Sequence, residues 1–245
     1  MARRRFFVEA VRDGCAELSG DGAEHLRRVL RAERGQRFEL SDNNRVYLAE
    51  IDDFGKGKVR FRVIEEIAAA PPTVGLVLLA SLVKFDRFEW MIEKATELSV
   101  ETIVPVMAGR SDKGLDAAAH KRVDRWRKIA IESSQQSRRT RLPEISDVVS
   151  FAKALTAEGD CRFFLEEESG ADPILSAIPD RRAAADRVAL LVGPEGGWTD
   201  EERGEASKAG WRAVSLGPQI LRAETAAVAA LAVISAAWSA RGGER

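Results

Sequence analysis

Residues 189–202 read ALLVGPEGGWTDEE: an apolar run that stops at Gly193, a Pro–Glu–Gly–Gly turn, then acids where a helix would start. Glycine-rich turns between a strand and a helix commonly hold phosphate at the helix N-terminus. This turn carries Glu195, Asp200, Glu201 and Glu202 and no lysine. Thr199 and Glu202 have capping-box spacing, in which each side chain closes on the other's backbone N–H. Three acids in a first turn also complement the helix dipole. Asp200, Glu201 and Glu202 are therefore expected to start a helix and to take no part in chemistry. Their charge still restricts the ligand, because a pyrophosphate would meet four carboxylates with no basic counterpart nearby. Neither GxGxxG nor GxxxxGK[ST] can be read across the turn. Whatever binds here should be cationic or neutral, with glycine letting backbone approach it closely.

A second turn repeats the design. Residues 215–231, SLGPQILRAETAAVAAL, carry an apolar strand end, Gly217-Pro218, and a polar cluster opening a helix. Two such turns on neighbouring strands would converge at the carboxyl edge of a parallel sheet, where α/β proteins bind ligands. Ile220 and Leu221 would wall a slot for a flat ring, with Arg222, Glu224 and Thr225 beside the helix start. Taken singly, Arg222 reads as a solvated charge and Glu224 or Thr225 as cap partners. The pairing of the two turns gives them a second reading.

Outward from these turns the chain alternates strand and helix. VGLVLLASLV (74–83) is apolar throughout, as a strand covered on both faces would be. RFEWMIEKATEL (87–98) follows with Phe88, Ile92, Ala95 and Leu98 at helical spacing. TIVPV, a long helix over about 116–138, CRFFLEE, RVALLVG, a helix from Asp200, WRAVSLG and an alanine-rich helix over about 223–238 complete the pattern. This rhythm predicts an α/β domain over 74–245 with a mainly parallel sheet. Residues 1–70 read differently. RFEL, VYLAEI and VRFRVI alternate with period two around one helical insert, AEHLRRVLRAERG, with Leu26, Val29 and Leu30 on one side. That predicts a small barrel, and the prolines of AAAPPT mark a linker after it.

The formal charge of the 245 residues is −1, so a polyanion site must be a local patch. Arg3, Arg4 and Arg5 form one such patch, and basic residues outnumber acids between Lys121 and Arg141. The Lys121 to Lys128 part reads as a solvated helix face with Trp126 in the core. Arg138, Arg139 and Arg141, in a polar loop, read as phosphate contacts, with Arg110 a weaker candidate. Two histidines, and two cysteines far apart in the chain, argue against a metal cage and suggest reduced core thiols. No apolar run reaches membrane-spanning length or forms a signal peptide, so a cytoplasmic protein is expected.

LLVGPEGGWTDEE followed by SLGPQILRAETAAVAAL resembles the RsmE family of 16S ribosomal RNA uridine-N3 methyltransferases, in the SPOUT superfamily. HLRRVLR, EKATELSVETIVPVMAGRS and QQSRRTRLPEI extend the resemblance along the whole chain. Ser99 stands where the family usually has glycine, and Ser133-Ser134-Gln135 replaces a more Ala-rich stretch. The resemblance implies a PUA-like RNA-binding barrel over 1–70, a SPOUT α/β domain over 74–245 with a deep trefoil knot, and a homodimer. It implies methylation of uridine 1498 on the small ribosomal subunit, an EC 2.1.1 reaction. It also implies S-adenosylmethionine, a sulfonium without phosphate, which a lysine-free acidic turn tolerates.

By the same resemblance, backbone at Gly193, Gly197, Leu216 and Ile220 approaches the adenine and ribose. Leu221 and Ala226 line the slot opposite Leu165 and Glu166. Leu191, Pro194, Glu195, Gly196, Gly217 and Thr225 complete the expected cofactor shell. Uracil N3 lies on the pairing edge, so the base must be unpaired or flipped out, and its imide proton must leave. The site therefore needs a proton acceptor, or a cation that stabilises the uracil anion. Arg222 is the candidate to polarise a carbonyl, and Glu224 either the base or the residue that orients Arg222. Another SPOUT specificity would share these loops, and the N-terminal match favours the 16S uridine; against a non-catalytic RNA-binding protein keeping the fold stand the intact glycine turns and LRAET. A dinucleotide oxidoreductase lacks its fingerprint here.

Overall fold

A computed structural model describes residues 4–112, 114–168 and 170–240. The chain forms two compact units, Met1–Pro71 with Ile131–Leu142, and Pro72–Ala130 with Pro143–Arg245. Residues 131–142, expected with the second domain, fold with the first. Arg138 turns the chain there at φ 58°. The segment is then anchored within the first unit by Arg138 to Glu39, by the Ser41 hydroxyl to Thr140 O, and by Leu142 N–H to Asn43 Oδ1 at 3.0 Å.

The first unit is built on six strands, β1 (Arg5–Phe7), β2 (Val11–Arg12), β3 (Cys15–Ser19), β4 (Arg37–Ser41), β5 (Val46–Gly55) and β6 (Lys58–Ile67). They form one sheet in the order β1-β4-β5-β6-β3-β2, antiparallel except for β1 beside β4. Period-two alternation turns Val59 and Phe61 of β6 inward against Phe6, Leu40 and Ile51, leaving Arg60 and Arg62 outside. The helical insert departs from the expected amphipathic helix. Helix α1 (Gly20–Glu24) runs into a π-helical turn at His25–Val29, closed by Leu30 N–H to His25 O at 3.0 Å. The wider turn breaks the 3.6-residue register. Leu26 stays buried, while Val29 is 65% and Leu30 39% exposed. Cys15 also lies exposed, contrary to the expectation of a core thiol.

The second unit holds β7 (Gly75–Ser81), α2 (Phe85–Glu97), β8 (Thr102–Met107), α3 (Leu115–Ala119) and the start of α4 (Val123–Gln136). After the excursion come β9 (Glu144–Ile145), β10 (Val149–Ser150), α5 (Phe151–Ala154), β11 (Cys161–Leu165), β12 (Asp172–Pro173) and α6 (Ile174–Ala177). β13 (Arg187–Val192), α7 (Asp200–Lys208), β14 (Arg212–Ser215) and α8 (Ala223–Ser239) close the chain. The sheet is parallel throughout, in the order β10-β8-β7-β13-β11-β14-β12, with β9 beside β8.

β7 and β13 lie in the middle and are apolar because both faces are covered. Leu76, Leu78 and Leu190 pack with Phe88 and Ile92 of α2, Trp126 of α4, and Leu231 and Ile234 of α8. Val77, Leu79, Ala189 and Leu191 pack on the other face with Phe151, Trp198, Ala206 and Trp211. β13 and β14 are not adjacent, as two converging turns had suggested. β11 lies between them.

α2 ends in a Schellman motif, with Ser99 N–H to Thr96 O at 3.0 Å and Val100 N–H to Ala95 O at 3.1 Å. Ser99 therefore sits at φ 66°, in the left-handed region. α7 ends the same way with Gly210 at φ 79°. A Cβ at such a position costs about 1 kcal/mol. Ser99→Gly is expected to stabilise the protein by somewhat less than that, since glycine also loosens the unfolded chain. Equilibrium urea unfolding at unchanged m value checks it.

Candidate active site

The carboxyl ends of β13, β11 and β14 open into one cavity of about 340 Å³. The loop after β13 supplies Gly193, Pro194, Glu195, Gly197 and Trp198, and the end of β11 supplies Leu165, Glu166 and Glu167. The loop after β14 supplies Leu216, Gly217, Gln219, Ile220, Leu221 and Arg222, and the first turns of α8 add Ala223 and Ala226. Because β11 separates β13 from β14, its tip forms the floor between the two glycine–proline loops.

Two glycines carry the backbone where a side chain would be strained or crowded. Gly197 has φ 66°, and a Cβ there would come within 2.4 Å of Glu167 Oε1. A Cβ on Gly193 would reach 3.0 Å from the indole of Trp198. That indole is buried, lies 4.6 Å in stacked orientation from Phe164, and donates from Nε1 to Leu165 O at 2.9 Å.

Of the expected cofactor shell, Leu191, Gly196 and Thr225 lie outside the cavity wall. Leu191 points to the opposite face of the sheet, in the core with Trp198. Gly196 packs against Arg110, whose Nη1 donates to its carbonyl at 3.1 Å. Thr225 is exposed on α8. Arg222 lines the cavity from the N-cap of α8, in extended backbone. Glu224 is 8% exposed and is not itself a lining residue. Arg87, Glu167, Val192, Trp198, Ser215, Gln219 and Ala223 line the cavity without having been singled out in the sequence. Trp198 follows the glycines directly and so had a local signal. Arg87, on a helix a hundred residues upstream, had none.

The acids are arranged as the capping box requires. The Thr199 hydroxyl accepts from Glu202 N–H at 3.2 Å, and Glu202 Oε2 accepts from Thr199 N–H at 2.9 Å. Glu202 Oε1 also accepts from Gly109 N–H at 2.7 Å, which ties the loop after β8 to α7. The expectation that the acidic turn lacks a basic counterpart is overturned. Arg87 pairs with Glu195 and lies 3.9 Å from Glu224, and Arg203 pairs with Glu166 at 2.7 Å, Glu168 at 2.8 Å and Asp200 at 3.1 Å. These arginines come from α2 and from the far end of α7's first turn, so a local window could not reveal the first. Among the described residues no cluster of three or more His, Cys, Asp or Glu is arranged to hold a metal.

The expected RNA contacts divide. Arg3 lies outside the described residues. Arg5 is buried, and its guanidinium is spent on Glu39 at 2.9 Å and on Arg138 O, so it presents no free charge. Arg138 pairs with the same Glu39. Burial pushes the Glu39 carboxyl up, but hydrogen bonds from Arg138 and Arg5 outweigh it and hold the group below its ordinary value. Arg4 sits against His25. Arg139 Nε donates to Arg141 O at 3.0 Å, and Arg141 is exposed with one donor on Asn44. Arg110 is exposed but serves Gly196. As expected for a solvated face, Arg122 and Arg125 pair with Glu89 of α2, and Trp126 is buried 4.7 Å from Phe88.

A parallel α/β domain with a glycine-framed cavity at its carboxyl edge has the form of a ligand-binding α/β domain, and comparison narrows the class. Residues 70–235 match the RNA methyltransferase domain family, and residues 18–64 the RNA methyltransferase PUA domain family. The ribosomal RNA small subunit methyltransferase E of Bacillus subtilis is 33% identical over 247 residues, covering 95% of this chain and 96% of the relative. Its counterpart in Mycobacterium tuberculosis is 32% identical, covering 98% and 95%. The crystal structure of the Neisseria gonorrhoeae enzyme bound to S-adenosyl methionine superimposes with TM-score 0.85 at 27% identity, covering 97% and 98%. The chain belongs to the ribosomal RNA small subunit methyltransferase E family.

Glu166 anchors the tip of β11. Burial raises its carboxyl, but hydrogen bonds from Arg203 and from the Glu168 and Glu167 N–H groups dominate and hold it below its ordinary 4.5. A depressed folded value contributes stability above the unfolded value and loses it as pH falls through the folded one. Glu166→Gln should therefore cost about 1.5 kcal/mol at neutral pH, the scale of hydrogen bonds to a charged group, because Arg203 keeps Glu168 and Asp200. The difference from wild type should shrink as pH falls below the ordinary carboxylate value of 4.5, read by denaturant unfolding across pH.

Proposed function

We propose that this protein transfers a methyl group from S-adenosylmethionine to N3 of a uridine in 16S ribosomal RNA, acting on the small subunit. The observation that carries the reading is the cavity itself. Two glycine–proline loops enclose it, apolar side chains line it, its acids are matched by arginines, and no P-loop or dinucleotide fingerprint borders it. Those residues fit the donor: Leu165, Leu216, Leu221 and Ala226 for the adenine, the Gly193 to Gly197 backbone for the ribose, and Glu166, Glu167 and Glu195 for a cation. When bound, the donor supplies an electrophilic methyl group. Arg222 then polarises a uracil carbonyl, and Glu224 takes the imide proton.

The first unit acts as a PUA-like RNA-binding barrel, with Arg4, Arg139 and Arg141 on the phosphate path. The second acts as the SPOUT domain, its two loops forming a deep trefoil knot. A homodimer covers apolar side chains of this unit that are exposed in one chain, among them Trp90, Leu175 and Ile220. The setting is the cytoplasm, where small subunits assemble. Among the described residues no helix is long and apolar enough to cross a membrane.

Undermethylated small subunits incubated with labelled donor should gain label at a single uridine N3, mapped by nuclease digestion and mass spectrometry. Label at another atom, or none, contradicts the reading. Arg222→Ala should lower kcat by about a hundredfold, the scale of losing one charge-stabilising donor, with donor affinity preserved in calorimetry. Charge reversal at Arg139 should weaken RNA binding and flatten its dependence on salt concentration.

A further inference from the structure

Glu224 carries one oxygen that the rest of the structure does not use. Its Oε2 is buried with no hydrogen-bond partner among the described residues, while Oε1 lies 3.9 Å from Arg87 Nε. Arg87 is itself part of the cavity wall and makes its closer pair with Glu195 of the opposite loop. Buried polar atoms in folded proteins nearly always have partners, and this carboxylate oxygen, on the residue that follows the cavity-lining Ala223, is left for a donor supplied from outside. One guanidinium faces two carboxylates, and this cluster carries one negative charge in excess.

We propose that Arg87 is the positioning residue of the proton acceptor, a step that rests on the N3-uridine reading. Shared between Glu195 and Glu224, it turns Glu224 so that Oε1 faces the guanidinium and Oε2 is left for the N3–H of the incoming uracil. The N3–H bond breaks, its electron pair stays on N3, and the proton bonds to Oε2. Glu224 becomes a neutral acid, and Arg87 keeps Glu195 as its single counter-charge. The cluster goes from one excess negative charge to none. Glu224 is the more loosely held of the two acids, which leaves it the one able to give up its share of Arg87. The same sharing binds α2 to the loop after β13 and to the start of α8, so the acceptor is set only when both loops are in place.

The test uses the full-length protein on undermethylated small subunits, with Arg87→Met, Arg87→Lys, Glu224→Gln and the Arg87→Met/Glu224→Gln double variant. Thermal melts and calorimetric titration with S-adenosylhomocysteine accompany each. Arg87→Met should lower kcat about thirtyfold, a part of the roughly hundredfold or more that a positioned base supplies. KM for the subunit and affinity for S-adenosylhomocysteine should stay within about threefold, and Arg87→Lys should recover most of the rate. The double variant should be no slower than Glu224→Gln alone, because the two residues act as one unit. Subunits carrying 5-fluorouridine, whose N3 proton is more acidic, should restore much of the rate lost in Arg87→Met. If that variant does not fold, Arg87→Gln, which keeps a polar side chain but no charge, is compared on uridine and 5-fluorouridine subunits and decides the matter by the same rescue. Additive losses in the double variant, a loss confined to KM, or no rescue by 5-fluorouridine overturns the proposal. Wild-type methylation at an atom other than N3 overturns the underlying reading, whereas N3 methylation with an additive cycle removes only the role of Arg87.

Discussion

One buried indole holds the cavity together. Trp198 lies under the loop after β13, crowds any Cβ on Gly193, stacks on Phe164 and donates to the last carbonyl of β11. The glycine loop is thereby tied to the strand beside it, and the floor of the cavity to its wall. Trp198 belongs to the core on the face of the sheet formed with Phe151 and Trp211, so the loop inherits the rigidity of that core. A ligand site built this way is preformed, because moving the loop would cost a buried aromatic its packing and its hydrogen bond.

Charge is the second constraint. Carboxylates gather on the loop after β13, the first turns of α7 and α8 and the tip of β11, and like charges at that density would push these elements apart. Arg87 and Arg203 each serve several of them, and Arg110 takes a carbonyl of the same loop. The result is an acidic site held shut by arginines from other elements. It has room for a cationic ligand and little to offer a polyphosphate.

Much of this was legible in the chain, for physical reasons that differ between elements. The central strands are uniformly apolar because both faces are covered, and the capping box at Thr199 and Glu202 is a local interaction that local sequence can encode. Ser99 was visible as a departure from glycine, though only the backbone explains why glycine belongs there. What escaped depended on tertiary contact. Arg87 is an unremarked helical arginine until α2 is laid beside the loops, and β11 separates two turns that read as neighbours. The π-helical turn after α1 shifts Val29 and Leu30 outward, which no 3.6-residue pattern anticipates. Arg5 looked like a surface charge in a basic run and is instead buried on Glu39.

The central claim is that two glycine–proline loops, with their acids matched by arginines, form a pocket for a sulfonium-bearing donor. Calorimetric titration of the purified protein with S-adenosylmethionine and, in parallel, with NADH and ATP tests it most directly. Saturable one-to-one binding of the first, with no heat from the other two at far higher concentration, is the predicted result. Saturable binding of a dinucleotide or ATP with none of the donor would contradict it.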